Sequence, residues 1–307
     1  MLPDEATDPE AAARVRPLLT LERELFSGWF RWLGSTDGGA SRINMESLLK
    51  RVDAELAVAE GPFFLGGELT LVDCMFAPFL ERMAASLPYY KGLVVRRNAA
   101  LPNLERWFLA MEGRDSYRHI QSDFYTHVKD LPPQVGGCRP IPGSEEYART
   151  IDGDDGSWAL PLPDDDGTLL EPLTGLGQSA EVAKREAAER LTFNHKNIVR
   201  FAARGASGPG FPPVSAELSD PNAKPSEGAL PLVDAALRHV THALLQSPED
   251  AKAKLSEGID ARTAAVTLGY LRDRISVPRD MGYPAARQLR AHLNWAIEEL
   301  GAASAGK

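Results

Sequence analysis

The stretch GGELTLVDCMFAPFLERM, residues 66–83, constrains this chain more than any other. Thr70 and Asp73 stand three apart just before an apolar run, the pattern of an N-terminal capping box. In such a box the threonine hydroxyl accepts from the Asp73 N–H while the Asp73 carboxylate reaches back to the Thr70 N–H. Asp73 also falls in the first turn, where the helix dipole favours negative charge. Gly66 and Gly67 provide the turn by which the chain enters. Beyond the cap, Leu71, Val72, Cys74, Met75, Phe76, Ala77, Phe79 and Leu80 are apolar around nearly the whole circumference. The expectation is a central helix covered on all sides, kinked at Pro78, with Cys74 buried and inert. Through the cap alone, Asp73→Ala is expected to cost about 1–2 kcal/mol.

Composition narrows the function classes. The 307 residues are 43% hydrophobic with a formal net charge of −9. Neither half offers the basic face that nucleic acid needs, so no nucleic-acid partner is expected. No stretch approaches the roughly 18 apolar residues of a transmembrane helix. The acidic start, MLPDEATDPEAAARVRP, has neither the apolar core of a secretory signal nor the character of an intact transit peptide. Cys74 and Cys138 alone provide no disulfide framework and fit a reducing compartment.

The chain reads as all-α in three parts. Residues 1–130 form a helical domain whose first helix, about 9–34, carries Arg14, Phe26, Trp29, Phe30 and Trp32. Trp29, Phe30 and Trp32 must point in different directions, so some pack in the core and others can line a pocket. Residues 131–177, rich in Pro, Gly and Asp, form an ordered connector or small hairpin, because Tyr147, Ile151, Trp158, Leu160 and Leu162 are too apolar for disorder. Residues 178–307 form a second, smaller helical region with segments at 179–205, 230–246, about 260–275 and 283–301.

FFLGGELTLVDCMFAPFLERM followed by LPNLERWFLAMEGRDSYR resembles the C-terminal helical domain of glutathione S-transferases. That family opens its buried central helix with G-x-x-x-[ST]-x-x-D, matched by Gly66, Thr70 and Asp73. Its later motif is matched by Pro102, Asn103, Leu104, Trp107, Arg114, Ser116 and Tyr117, with Asp115 where the family usually has proline. The resemblance covers roughly residues 10–125. It implies a family fold without the N-terminal thioredoxin-like half that activates glutathione, so no catalytic residue carries over. Glutathione as cofactor is expected only if that half lies upstream of Met1. The first helix, by the same resemblance, walls the acceptor pocket, with Arg14, Phe26, Trp29 and Phe30 as its residues. The whole chain is similar to plant and green-algal members directed to plastids, which implies the chloroplast stroma and otherwise the cytosol.

The remaining chemistry-bearing residues each have two readings. Cys138, between Gly137 and Arg139, is an ordinary loop cysteine or a redox thiol whose thiolate Arg139 favours. His239 and His242 are solvated or partly packed, or hold a metal, but no companion ligand stands nearby and no metal is expected. Asp152–Gly156 suggests calcium, yet Pro163 falls where the twelfth-position Glu should be, leaving turn chemistry. Arg272, Arg274 and Arg279 form internal salt bridges beside Asp273 and Asp280, or clasp an anionic ligand.

Two functions follow. The chain is a non-catalytic binding or interaction module of the glutathione transferase type, with a protein partner, a homodimer or a small hydrophobic ligand. Alternatively it is a catalytic transferase or thiol transferase completed by an upstream half.

Overall fold

The computed structural model describes residues 8–173, 178–255 and 259–305. Among them every regular element is helical, and the chain divides into two compact units. The all-α expectation holds.

In the first unit, α1 (Pro9–Leu33) starts where Asp8 accepts from the Ala11 N–H at 3.0 Å, with proline at the first helical position. It packs on α2 (Ala40–Leu56) and on α3 (Leu71–Lys91), the helix of the capping box. α4 (Pro102–Glu112) lies on α2, followed by the single turn α5 (Asp115–Arg118). α6 (Phe124–Val135) and α7 (Glu145–Asp152) cover further sides of α3. α3 continues through both Pro78 and Pro88 and ends at Gly92, whose φ of 59° supplies a left-handed cap.

Several buried charged groups of this unit are paired. Asp53 on α2, buried, accepts from the Asn103 and Leu104 N–H groups at 2.7 and 2.8 Å, so a carboxylate from another helix caps α4. Arg96, 3% exposed, bridges Glu112 at 2.6 Å and Glu105 at 3.0 Å with its guanidinium over Phe108. Glu81 accepts from the Tyr117 hydroxyl at 3.0 Å and the Ser122 N–H at 2.8 Å, and meets His127 Nε2 at 2.8 Å.

The expected connector is not a separate part. α6 runs through the boundary expected at 130, and Glu145–Asp152 is a helix inside the proposed connector. Residues 8–152 and 165–172 belong to the first unit, whereas 153–164 join the second. Among the described residues there is no hairpin; of the apolar residues that argued against disorder, Ile151 is buried in the first unit and Trp158 in the second.

The second unit holds α8 (Ala180–Phe193), α9 (His195–Ala202), α10 (Leu230–Leu245), α11 (Pro248–Leu255), α12 (Ala261–Arg272) and α13 (Tyr283–Ala305). The single helix expected over 179–205 is broken at Asn194, whose backbone leaves the helical region at ψ 34° and whose side chain accepts from Asn197 Nδ2 at 2.7 Å. The short helix α11 had no counterpart in the expectation. Val233, Val240, Leu244, Leu268, Leu289 and Leu293 lie in one core. Trp158 is buried beside α13, with the Arg290 guanidinium 4.9 Å over its ring and Asn294 Nδ2 donating to its carbonyl at 3.2 Å.

His292 on α13 is 1% exposed and its Nδ1 donates to the Gln288 carbonyl at 2.7 Å. Burial, with a smaller push from Lys184, lowers its pKa from 6.5 to about 4, against the Gln288 bond. Between those values the unfolded chain carries a proton that the folded chain does not. Stability contributed by the neutral ring is therefore complete above pH 6.5 and lost as pH falls towards 4, by up to about 3 kcal/mol. Urea melts of wild type and His292→Gln at several pH values should show a steeper acid loss in the wild type. Equal slopes would overturn this assignment.

Candidate functional site on the first unit

The motif residues converge on one atom group. Asp73, 0% exposed, accepts from Thr70 N at 2.9 Å and Thr70 Oγ1 at 2.8 Å through Oδ2. Its Oδ1 accepts from Phe64 N and from Trp107 Nε1, both at 3.1 Å. A turn makes this possible: Phe63 and Gly66 exchange backbone hydrogen bonds, and Gly66 takes φ 126°. Gly61, at φ 130°, lies so close that a Cβ there would stand 2.5 Å from the Gly66 carbonyl carbon. The sequence reading missed Gly61, Phe64 and Asp53. Only Gly61 had a visible signal, as a second glycine before the apolar pair Phe63-Phe64.

Gly66, Thr70, Asp73 and Trp107 therefore form a structural clasp whose polar atoms are used on one another. The expected cost of Asp73→Ala, set by a surface-type cap, is too small. Removal leaves the Phe64 amide and Trp107 indole N–H buried without an acceptor. We expect a loss of about 3 kcal/mol or more in urea unfolding, with Trp107→Phe costing less because it deletes one donor rather than their shared acceptor. A loss near 1 kcal/mol for Asp73→Ala would refute the clasp.

The four residues expected at a pocket wall separate. Arg14 Nη2 bonds the Glu55 carbonyl at 3.0 Å and its carboxylate at 3.1 Å, tying α1 to the end of α2. Trp29 is in the core, its Nε1 donating to Ser86 Oγ at 2.9 Å. Phe26 and Phe30 line a concavity of about 720 Å³ with Arg23, Asn44, Leu48 and Arg51. Phe30 is 43% exposed.

This aromatic surface extends onto α3, where the sequence expectation needs correcting. The helix is not covered on all sides: Leu71 is 46% exposed, and Cys74 and Pro78 are exposed as well. These positions share one stripe, and α1, α6 and α7 take the other sides. Phe79 from α3 meets Phe26 from α1 at 4.8 Å between ring centroids, Phe26 meets Phe30 at 5.8 Å, and the Arg23 guanidinium sits 5.6 Å over both Phe26 and Phe79. The result is a half-exposed aromatic ridge joining two helices.

Cys138 lies on a strap whose neighbour Arg139 donates its N–H to the Leu33 carbonyl at 2.8 Å. Burial pushes the thiol up to about 11, opposed by the Lys91 ammonium and a bond with Tyr90. The acting cation is thus Lys91 rather than the expected Arg139. Lys91 is itself lowered to about 8 by burial, and its Nζ donates to the Ser35 and Arg139 carbonyls at 2.6 Å each. The protonated, part-buried thiol is a poor nucleophile at neutral pH. Iodoacetamide with peptide mass mapping should modify exposed Cys74 well before Cys138; the reverse order would restore Cys138 as the reactive thiol.

Asp152 accepts from the Tyr89 hydroxyl at 2.8 Å and pairs with Lys129 at 3.1 Å, so its carboxylate stabilises the end of α7. Three or more metal-ligating side chains do not gather anywhere among the described residues, His239 and His242 included. No helix there is long and apolar enough to cross a membrane.

Residues 38–110 match the family described as "Glutathione S-transferase, C-terminal domain". That stretch is similar to the helical half of a glutathione transferase. It holds the whole clasp, from α2 and Asp53 through the Gly61–Gly66 turn to Trp107, whereas α1 with Phe26 and Phe30 precedes it. No curated protein and no solved structure gives a match.

Proposed function

We propose that this chain is a glutathione transferase-like protein acting as a non-catalytic binding module, and that the ridge of Phe26, Phe30 and Phe79 is the surface it presents to a protein partner. The ridge is the observation that carries the reading. Three aromatic rings left part-exposed on adjacent helices form the kind of contiguous apolar patch that marks an interaction site. The polar atoms of the family-like motif support the same conclusion, because they serve the clasp rather than a reaction.

The second reading is a catalytic transferase in which a thioredoxin-like half upstream of Met1 holds glutathione and Phe26 and Phe30 wall the acceptor pocket. Its support is their place on the first helix beside the 720 Å³ concavity. The plastid belongs to the resemblance of the whole chain, and a fluorescent fusion in green tissue tests it.

Two measurements separate the readings: glutathione conjugation to 1-chloro-2,4-dinitrobenzene by the protein isolated intact from its own cells, and the native mass of its complexes there. The binding module predicts no turnover above the uncatalysed rate and a complex heavier than the 33.4 kDa chain. Phe30→Glu should dissociate that complex while changing stability by about 0.5 kcal/mol or less. Glutathione turnover would overturn the non-catalytic reading, and a complex indifferent to Phe30→Glu would overturn the ridge as its surface.

A further inference from the structure

The arginine-rich segment near residue 274 belongs to the second unit and is not part of the matched stretch 38–110. It lines a concavity of about 740 Å³, within the range of small-molecule sites. Five arginines contribute to that lining, Arg190, Arg200, Arg204, Arg274 and Arg279, against the carboxylates of Asp220 and Asp280. Arg200 pairs with Glu227 at 3.0 Å and Arg279 with Asp280 at 2.9 Å. Asp220 is occupied by its own loop, accepting from the Gly210 N–H at 3.1 Å. Arg190, Arg204 and Arg274 have no carboxylate partner among the described residues. Three positive charges thus share one concavity in a chain whose net charge is −9.

Two of these arginines are held in place by rings. The Arg274 guanidinium stacks 3.7 Å over Tyr270 and donates through Nη1 to the Tyr270 carbonyl at 3.3 Å. Its Nε is buried without a hydrogen-bond partner, while Nη2 carries no bond among the described residues. Tyr270 packs edge-on against Phe201 at 5.4 Å, and the Arg204 guanidinium lies 5.0 Å over Phe201. Cation, ring, ring and cation form a ladder that fixes two guanidiniums without neutralising either. Beside them the wall is apolar: Leu191, Leu271, Ile275, Met281 and Leu289 come from the core, and Phe193 stands at the lining with 92% of its surface exposed.

Arginines without counter-ions select an anion, and an apolar wall selects a hydrocarbon body. We infer that this concavity binds a small amphipathic carboxylate, with the head group on Arg190, Arg204 and Arg274 and the apolar body along Leu271, Ile275 and Phe193. The inference is independent of the function proposed for the first unit.

Isothermal titration of the full chain with sodium dodecanoate below its micellar limit tests it, with acetate, dodecanol and inorganic phosphate as comparison ligands. Saturable one-to-one binding is expected, weakening as NaCl is raised, with acetate and dodecanol each binding about tenfold or more weakly. Arg274→Gln and Arg190→Gln should each lower the dodecanoate affinity about tenfold. Arg190 is exposed, so its variant keeps the test valid if Arg274→Gln is misfolded by circular dichroism. Phe30→Glu should leave binding unchanged, which separates this concavity from the aromatic ridge. No binding of dodecanoate, equal binding of dodecanol, equal binding of inorganic phosphate, or indifference to Arg190→Gln would each overturn the inference.

Discussion

A carboxylate with no contact to solvent has to be surrounded by donors, and the way Asp73 obtains its four organises the first unit. One oxygen closes the start of α3 onto Thr70; the other reaches a turn amide at Phe64 and the indole of Trp107 on α4. An ion in an apolar interior is tolerated only when its lone pairs are satisfied, so these contacts have to form together. The unusual backbone at Gly61 and Gly66 follows from that demand, since the turn must bring the Phe64 amide to Asp73. Phe64 then stacks on Phe76 at 4.2 Å, so the polar clasp and the aromatic core hold the same residues.

Helix starts depend on borrowed groups elsewhere in the unit too. α4 begins at Leu101 without a capping side chain of its own and takes Asp53 from α2. The loop ahead of it is held by Arg96, whose desolvation is offset by two glutamates and a ring. Buried polar links of this kind join segments far apart in the chain, and each fixes an orientation that apolar packing alone would leave loose. The aromatic ridge is the complement of this arrangement. Where α1 meets α3, Phe26, Phe30 and Phe79 stay part-exposed, and that exposure makes the ridge the surface of interest.

The second unit follows a different plan, with an alanine-rich helical core and five arginines lining one concavity. Arg204 and Arg274 there are oriented by stacking and by backbone carbonyls rather than by carboxylates. Guanidinium suits this because it is planar and weakly hydrated, and keeps its charge while lying on a ring. Ammonium groups in the same places would extend into solvent.

What the amino-acid sequence determined by itself is local. The cap at Thr70 and Asp73, the start of α1 near residue 9 and the spans of α10, α12 and α13 all rest on contacts within one or two helical turns. α7 was legible on the same terms, as Ser144 followed by Glu145 and Glu146 ahead of Tyr147 and Ile151, but the surrounding prolines and glycines obscured it. The tertiary structure alone decided which side of α3 stays open, that Cys74 is exposed while Cys138 is half-buried beside Lys91, and that Asp73 serves Trp107 as well as its own helix. It also decided that Arg204 and Arg274 share a concavity. Periodicity states how apolar a face is, but covering that face requires partners tens of residues away, and a single sequence carries no record of those distances.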